Sequence, residues 1–239
     1  MKWALGMLVL LAMSSAASAE EFGAIEGRFV LETAAAGSAK LAELDPSVIV
    51  HRENGGIAEL FVYLRNPPVK IDPALEASRK KEVVIESRGG SFRPQAVIVH
   101  TDQAIRMINW DRTGFLLQIY GIANSNQLLH VGPNDKVGGT IQLKKVEPIP
   151  VPAQADCDAD HAGQWMRLLV VDHPYAAVTD ADGRFRIEGL PTGEHSFRVW
   201  HQSRGWLEKD WKVTAVPGKT TTIPPVHVAR AKLTPAESR

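Results

Sequence analysis

The residues best suited to chemistry in this chain are Cys157, His161 and Met166, which stand just before the apolar run 167–171. A thiolate, an imidazole and a weak thioether suit copper, and mononuclear copper–thiolate sites add a second imidazole from an earlier strand. Cys157 is the only cysteine of the sequence, so its thiol is a free buried thiol, an intermolecular bridge or a metal ligand. The order and spacing of these three residues predict a copper site.

Length and composition limit what can surround such a site. The chain has 239 residues, a length that suits two compact β domains. Lys plus Arg and Asp plus Glu both number 27, so the formal net charge is zero and no basic surface points to nucleic acid or to an anionic membrane. The 19 Gly and 15 Pro indicate many turns, and hence many short strands.

The first residues have the pattern of a secretory signal peptide. Lys2 gives a positive start, residues 3–13 are apolar but too few to span a membrane, and Ala-Ser-Ala at 17–19 is a small-x-small cleavage site. A buried N-terminal helix is the alternative. No later apolar run is long enough for a membrane helix. We therefore expect residues 1–19 to be removed and the protein to be periplasmic or secreted, without a membrane span.

Short apolar segments separated by turn residues recur along the chain and predict strands. The segments 24–31 and 57–64 have strand patterns, and the charged stretch 66–81 suits a solvated connection. A long irregular loop is predicted at 148–164, and further strands follow residue 175. Between residues 82 and 172 lie six short predicted strands, at 83–86, 92–99, 104–109, 115–120, 138–143 and 166–171.

One motif in the C-terminal part of the chain resembles a known domain family. The run 177–193, with its core Thr-Asp-Ala-Asp-Gly-Arg-Phe, resembles the hairpin of carboxypeptidase-regulatory-like domains, which are transthyretin-type sandwiches. Those domains begin with strands similar to 26–30 and 58–64. The resemblance implies one discontinuous domain made of residues 22–65 and 175–228.

The middle block resembles a cupredoxin through Phe92-x-Pro94, Asn109-x-Asp111 and the Cys-His-Met loop. The whole mature chain is similar to exported bacterial proteins described as methylamine-utilisation-like or plastocyanin-like. That resemblance implies an all-β fold with two β-sandwich domains, in which a cupredoxin-like Greek key at 82–172 is inserted into a transthyretin-like sandwich. The charged tail 229–239 is expected to fray.

The expected second copper imidazole is missing. In the similar proteins the Asn-x-Asp stretch leads to a ligand His, and counting along this chain places Phe115 there. Three residues separate Cys157 from His161, where the group commonly has two. His100 and His130 are the alternative imidazoles, and neither stands at the expected position. We therefore expect a degenerate copper site and no bound copper.

Two functions compete on this basis. The first is a non-catalytic exported binding or scaffold protein, with an unidentified protein or carbohydrate partner. The second is a periplasmic copper-binding electron-transfer protein that uses Cys157, His161 and Met166. The sequence has no nucleophile elbow, no paired metal motif and no phosphate-binding glycine loop, so we do not expect an enzyme.

Three tryptophans, Trp200, Trp206 and Trp211, are candidate ligand-binding residues because aromatic rings on a sandwich edge stack on sugars or peptides. Strand alternation puts Phe197 and Val199 on one face and Trp200 on the other. Packing at the interface between the two domains is the alternative role for these rings.

Overall fold

The computed structural model describes residues 21–32, 44–68, 71–156 and 164–234. Within them it places the helix α1 (Pro73–Arg79), a 3₁₀ turn (Arg230–Lys232) and seventeen strands: β1 (Phe22–Leu31), β2 (Phe61–Leu64), β3 (Val83–Ser87), β4 (Phe92–Arg93), β5 (Ala96–His100), β6 (Ala104–Asn109), β7 (Phe115–Ile119), β8 (Gln127–Val131), β9 (Gly139–Gln142), β10 (Val151–Asp156), β11 (Trp165–Val171), β12 (Ala176–Val178), β13 (Arg184–Pro191), β14 (Gly193–His201), β15 (Gly205–Ala215), β16 (Thr220–Thr222) and β17 (Val226–Val228). The predicted signal peptide, residues 235–239 of the predicted flexible tail, and the positions of Cys157 and His161 lie outside the described residues. The first part of the predicted tail contains the 3₁₀ turn, and Leu233 is fully buried in a hydrophobic core.

Strands from both ends of the chain form one sandwich, which we call the outer sandwich. Its first sheet has the order β13-β1-β16, with β17 also paired to β1, and its second has the order β12-β2-β14-β15. Phe29 of β1 and Phe197 of β14 are fully buried in the core between these sheets. Because β1 pairs with β13 and β2 with β14, neither end of the chain supplies a complete sheet alone.

The middle of the chain forms a second sandwich, which we call the inserted sandwich. Its sheets have the orders β4-β3-β6-β9 and β5-β11-β10-β7-β8. Its core is separate from that of the outer sandwich and is filled from both sheets, for example by Met107 and Leu117. The predicted fold class is confirmed in that the protein is all-β, with one sandwich inserted into another.

A third apolar cluster, the interface core, joins the two sandwiches. Phe61 and Trp200 contribute from the outer sandwich, and Leu169 and Val171 contribute from β11 of the inserted one. On β14, Phe197 and Val199 face the core of the outer sandwich while Trp200 faces the inserted sandwich, as the alternation predicted. The outward face of β11 is therefore covered rather than exposed to solvent.

The hairpin motif of the C-terminal part builds a turn. One carboxylate oxygen of Asp180 accepts hydrogen bonds from the backbone N–H groups of Asp182 at 2.9 Å and Arg184 at 2.8 Å. Gly183 has φ +77°, and a Cβ there would approach the carbonyl oxygen of Phe29 to 2.2 Å. The Asp and Gly residues of the motif are thus explained by turn geometry and close backbone approach.

Two sequence expectations were wrong in detail. The stretch 66–81 is not wholly a connection, because α1 lies within it; Asp72 accepts a hydrogen bond from the N–H of Ala74, and proline at the first helical position is compatible with the helix. The predicted loop 148–164 contains β10, a central strand between β7 and β11.

None of the described helices is long and apolar enough to cross a membrane.

Buried histidines lie in and beside the contact region of the two sandwiches. His173 and His201 are 4% and 0% exposed, and their Nδ1 atoms accept hydrogen bonds from the backbone N–H of Tyr175 and of Ser203. Burial is the main cause that lowers the pKa of each of these histidines to about 4. Burial, with a further contribution from the charge of Arg79, lowers the pKa of His100 to about 4.

These histidines predict acid-sensitive stability. Between pH 6.5 and about 4 the unfolded imidazoles bind protons that the folded ones do not, so the free energy of unfolding should fall as the pH falls through this window. Urea denaturation at pH 7 and pH 5 measures the difference in the free energy of unfolding between the two pH values. His201→Gln should make that difference smaller. The exposed-site variant His130→Gln, as a control for loss of an imidazole, should leave the free energy of unfolding at pH 7 unchanged. Equal values at both pH values in the wild type would contradict the expectation.

Candidate functional site

The candidate copper site lies at one end of the inserted sandwich, which we call the loop end. Strand β10 ends there at Asp156, directly before Cys157, and β11 begins there at Trp165. Asp156 pairs with Leu116 of β7, so Phe115 lies beside the point where the segment 157–163 leaves the sheet. Cys157 and His161 lie outside the described residues, and their role as ligands stays a prediction.

Phe115 is part of the hydrophobic core at the loop end. Its side chain is 2% exposed, and its ring packs edge-on against Phe92 of the facing sheet, with ring centroids 5.6 Å apart and an interplanar angle of 67°. The inward face of β7 continues with Leu117 and Ile119, both fully buried. An apolar ring therefore fills the space where the resemblance implies a metal-binding imidazole.

A hydrogen-bonded turn holds Phe115 in this position. Asn109 is fully buried, and its Nδ2 donates to the carbonyl oxygens of Thr113 and Gly132, both at 2.8 Å. Its Oδ1 accepts from the backbone N–H of Asp111 at 2.9 Å. One side chain thus fixes the connection from β6 to β7 and also ties it to the end of β8, so the Asn-x-Asp motif has a structural role here.

A second polar contact bridges the two sheets at the loop end. Gln164, directly before β11, is 3% exposed, and its amide lies 3.3 and 3.2 Å from Oγ of Ser87 on β3. The same hydroxyl donates to the carboxylate of Asp111 at 3.0 Å. Sequence reasoning missed Gln164, although it stands two residues before Met166 and alternation places both side chains on the inward face.

Met166 lies deeper in the core than Phe115. It is fully buried and is paired with Ala153, which in turn is paired with Ile119. Ile119 is four residues beyond Phe115 on β7. The row of paired residues across the sheet that contains Met166 therefore lies about 13 Å along the strands from the row that contains Phe115. This position suits the alternative role of a core methionine, and the structure does not bring Met166 to the row of Phe115.

The two alternative imidazoles also lie away from the inward face of the loop end. His100 ends β5, which is parallel to β11 and pairs with it at Val171, the opposite end of the strand from the loop end. His130 is paired with Leu116 and is therefore at the loop end, but it is exposed while its neighbour Val131 is buried. Among the described residues no group of three or more His, Cys, Asp or Glu side chains could hold a metal ion.

The described residues do not fit a trigonal copper site. Such a site requires two imidazoles and a thiolate in one plane, with a weak axial ligand. Phe115 supplies no donor atom, Met166 lies in a different row of the sheet, and the Gln164 amide is hydrogen-bonded to Ser87. We therefore derive no chemical step through copper.

The three tryptophans are not brought together on one surface. Trp200 is 6% exposed and packs against Phe61 in the interface core, with ring centroids 5.9 Å apart. Trp206 packs beside the same core, 6.3 Å from the ring of Tyr63. Trp211 instead packs against the core of the outer sandwich, 5.3 Å from Phe29. Two of the three therefore have the interface packing that the sequence left as the alternative.

No protein-family model and no curated protein sequence matches this chain. Among solved structures, it is similar to an oxidised mutant of amicyanin, with a TM-score of 0.30 and 6% identity over 37% of this chain and 80% of that one. The reduced state of another amicyanin mutant has a TM-score of 0.31 and 9% identity over 46% of this chain and 97% of that one. A heme-copper terminal oxidase dimer has a TM-score of 0.26 and 12% identity over 38% of this chain and 65% of that one.

The buried amide of Asn109 should be important for stability. In Asn109→Ala, the carbonyl oxygens of Thr113 and Gly132 lose their side-chain donor, and a buried group left unsatisfied costs about 1–3 kcal/mol. Chemical denaturation should show a loss of that size. Asn126→Ala, at an exposed position, is the matched control and should have almost no effect. Equal free energies of unfolding for the two variants would show that the Asn109 bonds do not organise the turn.

Proposed function

We propose that this chain is a non-catalytic, exported binding or scaffold protein whose cupredoxin-like domain has a degenerate copper site. The observation that carries the proposal is Phe115, which packs into the core against Phe92 where the similar proteins have an imidazole. Two further side chains support the proposal because each already has a structural role. Met166 lies in the core away from Phe115, and Gln164 is hydrogen-bonded to Ser87.

A binding role is favoured by the way the two sandwiches meet. The interface core buries large aromatic side chains where the two sandwiches meet, and ligand sites are common at domain interfaces. In this proposal, residues 22–65 together with 175–228 form one domain and residues 82–172 form the other. The protein has no enzymatic activity. The partner is a protein or a carbohydrate.

Copper titration tests the degenerate site. Purified wild-type protein given Cu(II) should lack the intense visible band of a thiolate–copper centre, and Cys157→Ser should bind copper no more weakly than the wild type. Phe115→His should gain a weak band, because it restores one imidazole beside the segment that contains Cys157.

Phe92→His is the matched control, since it places an imidazole in the same core but on the facing sheet. It should produce no band. Circular dichroism checks that Phe115→His and Phe92→His fold. If neither folds, the comparison of the wild type with Cys157→Ser still shows whether the protein has a thiolate–copper centre. An intense band in the wild type that is lost in Cys157→Ser would overturn the proposal in favour of the copper-binding electron-transfer protein.

Export is tested by the mass of the mature protein. The apolar stretch 3–13 and the small residues at 17–19 predict removal of residues 1–19, so the exported product should begin at Glu20. Intact-mass spectrometry of the periplasmic fraction measures this directly. Ala19→Arg, which removes the small residue at the cleavage position, should leave the precursor uncut. A wild-type product that retains Lys2 would contradict the prediction.

A further inference from the structure

A cleft opens beside the interface core, between the two sandwiches. Its volume is about 370 Å³, within the range of small-molecule sites. The inserted sandwich supplies the outward side chains at the start of β11, and the outer sandwich supplies residues before β2 and in the turn between β14 and β15. The lining residues are Trp165, Arg167, Asp45, Ser47, Gln202 and Ser203. We call this space the interdomain cleft.

Arg167 contributes a positive charge to the cleft. Among the described residues no carboxylate pairs with its guanidinium, and its buried Nε has no hydrogen-bond partner. The guanidinium lies 5.8 Å from the ring of Trp200, which attracts the cation but does not neutralise it. Burial of a charged group without a partner is unfavourable, and an anion bound in the cleft would offset that cost.

The opposite wall of the cleft contributes hydrogen-bond acceptors. Gln202 is 7% exposed; its Nε2 donates to the carbonyl oxygen of Ser47 at 3.2 Å, while its Oε1 has no hydrogen-bond partner in the part of the chain that the structure describes. Burial raises the pKa of Asp45, but hydrogen bonds from Ser47 and Ser203 and the charge of Arg204 outweigh this effect and keep it below the usual value. Asp45 is therefore an anionic acceptor at neutral pH.

We propose that the interdomain cleft binds a carboxylated sugar of the uronate class. The guanidinium of Arg167 binds the carboxylate, the Asp45 carboxylate and the Gln202 amide bind hydroxyl groups, and the ring of Trp165 packs against the apolar face of the sugar. A simple anion would use only Arg167, and a neutral sugar would leave its charge unpaired. This inference deepens the proposed binding role and does not depend on the copper site.

Calorimetric titration of the mature protein with D-glucuronate tests the inference. Saturable binding is expected, with D-glucose and acetate each at least about tenfold weaker, because a charge-assisted hydrogen bond or an apolar contact is missing. Arg167→Gln should weaken glucuronate binding about tenfold to a hundredfold. Arg106→Gln is the matched control: this exposed arginine of the inserted sandwich is paired with Glu82, and its loss should not change binding.

A stability measurement separates binding from a structural role. Arg167→Gln should not lower the free energy of unfolding, because it removes an unpaired charge that is half-buried. The inference is overturned if glucuronate does not bind, if glucose or acetate binds as tightly, or if Arg167→Gln destabilises the protein without changing glucuronate affinity. The copper titrations are independent, so a failed glucuronate titration leaves the degenerate copper site standing as a separate result.

Discussion

Burial of both faces of β11 is the constraint on which the rest of the structure depends. The inward side chains, such as Leu168 and Val170, lie in the core of the inserted sandwich, and the outward Leu169 and Val171 lie in the interface core. The chain then passes within a few residues into β12 of the outer sandwich. A strand buried on both faces has a nearly continuous apolar sequence, as residues 168–171 have. Its packing fixes how the two sandwiches meet, and so creates the interdomain cleft.

The loop end is held by hydrogen bonds and by aromatic packing. Asn109, Asp111 and Ser87 form a hydrogen-bonded turn, because they bond to backbone groups and to each other. Phe115 packs against Phe92 at the position where the resemblance implies an imidazole. The core is thus closed by an apolar ring at this position.

The interdomain cleft differs from the loop end in its polar groups. At the loop end the buried Asn109 and Gln164 side chains are hydrogen-bonded, which stabilises the fold. At the cleft, Arg167 and Gln202 each have a buried atom that no described residue pairs with. Unpaired polar atoms beside a cavity are costly to the free protein, and a ligand that satisfies them recovers that cost.

The sequence by itself determined the all-β class, the two sandwiches and the position of Phe115. These features follow from strand alternation, turn residues and motif spacing, which are local properties of the chain. The prediction of a loop at 148–164 was wrong because β10 is short and polar on one face. The burial of β10 comes from its neighbours β7 and β11. Only the tertiary structure decided the row of Met166, the separation of Trp211 from Trp200, and the convergence of Arg167 with Asp45 and Gln202. Strand register and domain contact depend on residues far apart in the chain, and no local pattern specifies them.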